Sequence, residues 1–327
     1  MLSLFALVTS WLTVAAIMPW FIDTVKRLAW GQQIREDGPK DHQKKAGTPT
    51  MGGLVIVVAT VVGMAWAWKL GHPLDTLTVL ACVAGNCAIG FFDDYAKIRK
   101  QRNLGLTSRQ KLAAQLVVGA VLGAFLVFYH PSGSTVIMPF CGPVHSGMLA
   151  FAMAVLVMLS TTNAVNLTDG LDGLAGGTMV SAALAYLAIA WLAGRPDLAV
   201  CAGALAGGCL GFLQFNRYPA RIFMGDTGSL ALGGALTALA VLTRTEWLLL
   251  LIGGVFVAEA VSVILQVGYF KLTHGKRIFR MSPLHHHFCE GGWPETRVTS
   301  TFWTIAAGLG ALGVLLWYGL RSVWPPL

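Results

Sequence analysis

The chain has 327 residues, 55% of them hydrophobic and 12% charged, with a mean hydropathy of +0.66. An ordinary soluble domain is roughly 25% charged, so the polar residues needed to cover a large water-soluble core are missing and a polytopic membrane protein is implied. The formal charge is +8, from 23 Lys and Arg against 15 Asp and Glu; its placement, described next, argues against a nucleic-acid partner.

A membrane-spanning helix needs about 20 mostly apolar residues. Ten segments qualify in chain order: 2–21, 52–70, 77–92, 112–129, 148–162, 174–192, 198–215, 229–242, 247–270 and 301–323, with the fifth and eighth short. The first, MLSLFALVTSWLTVAAIMPWF, has no positive leader and no small-residue cleavage site, so it reads as a retained span rather than a signal peptide. Backbone groups in lipid must bond within their own segment, so the expected fold class is all-α. The loops 22–51, 93–111, 163–173, 216–228 and 271–300 hold 19 of the 23 Lys and Arg. The intervening loops 71–76, 130–147, 193–197 and 243–246 hold only Arg195 and Arg244. The positive-inside rule then places the first set in the cytoplasm and both termini outside. No fixed-period repeat or low-complexity linker divides the chain, so 1–327 reads as one integral-membrane domain. Cys82, Cys87, Cys141, Cys201, Cys209 and Cys289 form no CxxC pair and read as small hydrophobes, with no disulfide framework or cysteine metal site.

The unusual polar residues gather on the basic side. Asp93, Asp94, Asn166, Asp169, Asp172, Asn216, Asp226 and the run His285, His286 and His287 all lie in basic-side loops or at adjoining helix ends. Acids at a membrane edge are costly unless paired, hydrated or metal-bound, so this asymmetry marks an active site. In FFDDYAKIRK, neighbouring residues on a helix point about 100° apart, so Asp93 and Asp94 cannot serve one point equally. One should face a reacting group or metal while the other bonds to backbone or a nearby base; an acidic helix end paired with Lys97 or Arg99 is the bland alternative. In NLTDGLDGLAGG, Asn166, Asp169 and Asp172 recur at intervals of three, which shares a face on a helical turn. Asp226, between Gly225 and Gly228 and just before an apolar segment, is either an N-cap or a metal ligand at a helix start. Ring directions alternate along three successive histidines, so one or two of them would contact phosphate and the rest would support. Glu259 and Gln266, seven apart in the ninth span, share a face and read mainly as structural hydrogen-bonding groups.

Five aspartates at one edge would repel an anionic substrate unless a cation intervened. All-oxygen ligation suits Mg²⁺ or Mn²⁺, and Mg²⁺ bridges phosphates through one or two carboxylates. Phosphoryl transfer at the cytoplasmic membrane surface is the chemistry these residues favour. No GxxxxGK[ST] occurs, so a P-loop nucleotide hydrolase is not supported.

GTPTMGG (47–53), FFDDYAKIRK, NAVNLTDGLDGLAGG, FNRYPARIFMGDTGSLALGG and the run from GGVFVAEAVSVILQVGYFKL to RIFRMSPLHHHFCEGGWPE appear in one order over nearly the whole chain. In this combination the chain resembles the MraY family of bacterial phospho-N-acetylmuramoyl-pentapeptide transferases, within the wider polyprenyl-phosphate N-acetylhexosamine-1-phosphate transferases. The DD and NxxD motifs are shared across that superfamily, and the PLHHHF…GWPE segment points to the muramoyl-pentapeptide branch. The resemblance implies ten spanning helices and a cytoplasm-facing cleft in the bacterial inner membrane. It implies transfer of phospho-MurNAc-pentapeptide from UDP-MurNAc-pentapeptide to undecaprenyl phosphate, giving lipid I and UMP. It also implies Asp226 as the main Mg²⁺ ligand, with Asp93 and Asp94 orienting or activating the lipid phosphate. Asn166, Asp169, Asp172 and Asn216 would contact nucleotide and diphosphate, Phe223 would stack on uracil, and His285, His286 and His287 would meet phosphate or sugar, His285 among the catalytic groups. Lys45 and Thr50 would line the same site. The partners are the two substrates and the lipid bilayer; a homodimer is left open.

Three rivals stand beside this reading. An N-acetylglucosamine-1-phosphate transferase using the same lipid would share the acids and the metal. A transporter would place binding groups near the bilayer midplane instead. A membrane scaffold gives no reason for separated Asp motifs and a histidine run.

Overall fold

The computed structural model describes residues 1–28, 30, 47–71, 73–100, 105–131, 133–139 and 141–321. The helices are α1 (Leu2–Arg27), α2 (Gly53–Met64, continued by a tighter 3₁₀ turn Ala65–Leu70), α3 (Pro73–Lys100), α4 (Ser108–Phe128), α5 (Gly147–Thr168) and α6 (Leu174–Leu192). They continue with α7 (Pro196–Asn216), α8 (Gly225–Leu242), α9 (Glu246–Ile252), α10 (Gly254–Leu272), α11 (Leu284–Cys289) and α12 (Glu295–Leu320). All but the short α9 and α11 are long and apolar enough to cross a membrane, which makes ten among the described residues. The connection between α4 and α5 carries an antiparallel hairpin, β1 (Thr135–Met138) with β2 (Gly142–His145), pairing Thr135 with His145. The all-α reading therefore stands, with one small hairpin added in a loop.

Several helices outrun the apolar segments that announce them, and this matters for the site. α3 continues to Lys100, so Asp93 and Asp94 sit inside a helix rather than beyond it. α5 takes in Asn163 and Asn166, and α8 starts at Gly225 with Asp226 in its first turn. A hydropathy window ends where polar residues begin, whereas the i to i−4 backbone bonds continue until a capping or breaking residue stops them. On α3 the last turn carries Lys97, Arg99 and Lys100, which suit the negative end of the helix dipole. The ninth span departs in the other direction: the apolar run breaks at Gly253 into α9 and α10, next to a Gly-Gly pair where a kink has little steric cost.

α7 and α8 form the centre, with 83% and 89% of their apolar windows buried against 22% for α1 and α12. Both are rich in Gly and Ala, which lets neighbouring backbones come close without any hydrophobic driving force between helices in lipid. Gly203, Gly207 and Gly211 form a four-residue repeat along α7; a Cβ at these positions would meet Ser3 O, Leu7 O and Val14 on α1. α8 packs against α3 and α5, and α7 against α1, α2 and α6.

Polar contacts sort to two ends of this bundle. At one end, Leu106 bonds to Asp93 on α3, Gly173 to Asn216 at the end of α7, and Asp172 to Ala220 and to Glu295 at the start of α12. At the other, Asp75 meets both His130 and Arg195, and Arg195 reaches Asp197 and the Leu242 carbonyl.

Candidate active site

The start of α8 is pressed against α3. Gly90 makes this approach feasible, because a Cβ there would collide with the Asp226 carbonyl. Gly225, with φ of +74°, turns the chain into α8 beneath Asp94 and Thr50; a Cβ would lie 2.5 Å from Asp94 Oδ2 and 3.1 Å from Thr50 Oγ1. Asp94 caps α8 from outside it: Oδ2 accepts from the Thr227 N–H at 2.9 Å and from its hydroxyl at 2.7 Å, and Oδ1 accepts from the Asp226 N–H at 3.2 Å. Such a cap contributes about 1 kcal/mol and suits the positive helix end.

Carboxylate oxygens of Asp93, Asp94 and Asp226 lie within 4.8 Å of one another. Asp93 and Asp94 both flank the α8 start but bond differently, as their divergence of about 100° implies: Asp94 caps the α8 backbone, while Asp93 accepts from the Leu106 N–H and meets both Lys97 and Lys111. Two lysines hold the three acids together. Lys97 Nζ stands 2.6 Å from Asp93, 3.5 Å from Asp94 and 3.1 Å from Asp226. Lys111 Nζ stands 3.1 Å from Asp93 and 2.5 Å from Asp226. Like charges 4 Å apart repel by on the order of 4 kcal/mol at an effective dielectric of 20, so the acids need this cation density to coexist. Asp93 and Asp94 are buried, while Asp226 keeps 15% of its side chain exposed and is the carboxylate open to a ligand.

The remaining predicted residues fall into three groups. Asn166 joins the acids directly, its Nδ2 donating to Asp226 Oδ1 at 3.0 Å and to Ser229 at 2.9 Å. Asp169 also belongs there: burial first, then the charges of Asp226, Asp94 and Asp172, hold its carboxyl well above the usual carboxylate range. Thr50 is buried beside Gly225, and Phe223 is half-buried, its backbone paired with Pro49 O and Gly52 N–H.

Asn216 and Asp172 are spent on bracing loops. Asn216 accepts from the Gly173 N–H at 3.0 Å and donates to Ile222 O at 2.9 Å, while Asp172 accepts from the Ala220 N–H at 2.9 Å. The expected common helical face of Asp169 and Asp172 is not formed. α5 ends at Thr168 with Asp169 as its C-cap, so Asp172 already lies in the turn beyond it, and Gly173, with φ of +76°, leads the chain into α6.

The histidines make the short helix α11. His285 is fully buried, with its ring against Gly170 and its Nδ1 3.1 Å from Glu259. His286 lies beside the His285 ring at 4.2 Å between centroids, and His287 Nδ1 accepts from the Arg280 N–H at 3.1 Å. Lys45 lies outside the described residues.

Sequence reading missed Lys111 and gave Lys97 only the bland role of an ion-pair partner. For Lys97 the signal is the i to i+4 spacing from Asp93. For Lys111, 115 residues from Asp226 in the chain, no local signal exists.

Helices of spanning length that gather three acids and two lysines at one end define a polytopic membrane transferase, and the family model for Glycosyl transferase family 4 matches residues 76–244. A narrower pattern, phospho-N-acetylmuramoyl-pentapeptide-transferase signature 1, matches residues 45–57, the segment that carries Thr50. Similar proteins of that name come from Heliobacterium modesticaldum (54% identical, covering 93% of this chain and 94% of that protein) and Geobacillus kaustophilus (48% identical, 95% and 96%). A third, from Desulforudis audaxviator, is 48% identical over 93% of this chain and 95% of its own length. The chain belongs to the phospho-N-acetylmuramoyl-pentapeptide-transferase family.

Proposed function

We propose that this protein transfers phospho-MurNAc-pentapeptide from UDP-MurNAc-pentapeptide to undecaprenyl phosphate at the cytoplasmic face of the bacterial inner membrane, releasing UMP and forming lipid I. The observation that carries the proposal is the meeting of Asp93, Asp94 and Asp226 with Lys97 and Lys111 at the end of the bundle where the basic loops emerge. That end is cytoplasmic by the positive-inside rule, which places both termini outside.

The donor set fits a hard divalent cation: three carboxylates, no thiolate and no imidazole. Asp226 would hold Mg²⁺ with Asp94 and Asp93 beside it, and the ion, when bound, neutralises charge on the diphosphate. The protein's own groups do the rest. Lys97 and Lys111 turn from the carboxylates toward phosphate oxygens and stabilise the negative charge that builds up in transfer. Asp93 or Asp94 takes any residual proton from the acceptor phosphate. An oxygen of that phosphate then forms a bond to the sugar-bearing phosphorus while the bond between that phosphorus and the UMP oxygen breaks. Asn166 keeps Asp226 oriented through its 3.0 Å hydrogen bond. Asn216 and Asp172 hold the 169–173 and 216–224 loops against each other behind the acids. Direct attack is favoured over a covalent aspartyl intermediate because a phosphate dianion is already a nucleophile.

The test is incubation of purified protein with UDP-MurNAc-pentapeptide, undecaprenyl phosphate and Mg²⁺, scoring UMP. Release that depends on lipid and stops on chelation is expected. Equal turnover of UDP-N-acetylglucosamine would move the reading to the sister reaction. A sugar-phosphate adduct trapped on Asp93 or Asp94 without lipid would overturn direct attack.

A further inference from the structure

α10 is an unusual helix for a membrane edge. One side is apolar and open, with Ile264 69% and Leu265 49% exposed, while Glu259 and Gln266 on another side are buried. Neither polar group is accounted for by the acid–lysine cluster, and both are spent on the backbone of a single segment. Gln266 Oε1 accepts from the Ile278 and Phe279 N–H groups, each at 3.0 Å, and its Nε2 donates to Phe279 O at 2.9 Å. Glu259 accepts from the His285 N–H at 3.1 and 3.4 Å and lies 3.1 Å from that residue's Nδ1.

We infer that Glu259 and Gln266 are positioning residues, a two-point clamp that fastens segment 278–289 to α10 and so sets His285 against the turn carrying Asp169. Their spacing of seven residues is two helical turns, about 10.5 Å along α10, and each holds a separate backbone site on the segment. The buried Glu259 carboxylate is satisfied in part by the His285 backbone N–H, which it accepts with both oxygens. The segment is also held by packing, since Leu284, Phe288 and Cys289 lie on a small apolar cluster of Leu171, Leu174, Val298 and Phe302. Beside that packing the His285 ring meets Gly170, where a Cβ would strike Nε2. Gly170 adjoins Asp169, whose backbone N–H bonds to the Asn166 carbonyl, and Asn166 holds Asp226. The clamp thus reaches the acids through His285 and the 166–170 turn. Release of either point displaces catalytic groups by a fraction of their own hydrogen-bond length, which costs transfer more than it costs substrate binding.

This inference deepens the transferase reading and rests on it, so the test uses one readout that needs activity and one that does not. Hydrogen exchange is followed on full-length protein in micelles for Glu259→Ala, Gln266→Ala and Glu259→Gln, alongside UMP release. Amides of 278–289 should exchange at least about tenfold faster in both alanine variants, while α7 and α8 stay at the wild-type rate. kcat should fall about 10- to 100-fold with KM for the sugar nucleotide within about threefold. Glu259→Gln, which keeps an acceptor for the His285 N–H, should recover most of the protection and a large part of kcat. Should one alanine variant fail to fold, the other carries the same test. Unchanged exchange at 278–289 overturns the clamp, and so does a fall in kcat matched by loosening of the whole bundle. A wild-type protein that releases no UMP defeats the transferase reading, while the exchange data still decide the clamp.

Discussion

The two ends of the bundle use the same side-chain chemistry to opposite effect. At the far end, Asp75 is matched by His130 and Arg195, and Asp197 lies 3.7 Å from the same guanidinium. There the groups tie the loops after α2, α4 and α6 together. At the acid end, Asp93, Asp94 and Asp226 share Lys97 and Lys111, while Asp169 adds a fourth carboxylate held above its ordinary range. Three carboxylates share two ammonium groups there, and the most accessible carboxylate is the one at a helix start. One end is a closed latch; the other gathers acids and lysines whose charges can serve the proposed transfer.

Substitutions can break that contrast. The largest effect belongs to Asp226→Asn, expected to lower UMP release by on the order of 10³-fold with an unchanged melting profile. Near-normal turnover at saturating Mg²⁺ would remove Asp226 from the metal site. Lys111→Ala should cost about 100-fold, and Lys111→Arg should return part of it, since both cations can face phosphate but only one has the ammonium's shape. Steady-state kinetics on the two variants decides this, and equal rates for both would leave Lys111 a structural counterion. Arg195→Ala tests the latch: a loss of about 1–3 kcal/mol in thermal unfolding, between the values for exposed and buried pairs. Its UMP release per folded molecule should stay within about twofold, because the site is remote. The smallest and sharpest case is Asp169→Asn. A carboxyl whose folded pKa lies above its unfolded value, near 3.9, binds its proton more tightly in the fold, so stability falls as pH rises through the folded value. Removing that carboxyl should therefore raise the melting temperature at pH 8, with a smaller gain at pH 5, while activity declines. A lowered melting temperature at pH 8 would show that Asp169 is stabilised as an anion.

Much of the site was legible in the chain because several motifs are local. NLTDGLDGLAGG announced Asn166 and Asp169 by composition alone, and Asp226 stood out as an acid directly before an apolar run. Where the reading failed, the missing quantity was always a distance between elements. Nothing in FFDDYAKIRK tells that Gly90 lets the α8 start approach and brings Asp226 to Asp93 and Asp94. Asp169 and Asp172 were expected on one helical face, but α5 ends at Thr168 and Asp172 accepts from the Ala220 N–H. The run of three histidines could not tell which of them supports, and the structure buries His285 between Glu259 and Gly170.

The number of spanning helices, the basic side and the acid-rich loops follow from the sequence itself. Hydropathy and charge act residue by residue against lipid and water, and need no knowledge of partners. Only the tertiary structure decided that Lys111 would meet Asp226 across 115 residues and that Asp94 would cap a helix other than its own. Those contacts depend on how closely α3, α4 and α8 can pack, which is set by glycines facing particular backbone atoms rather than by any pattern along one segment.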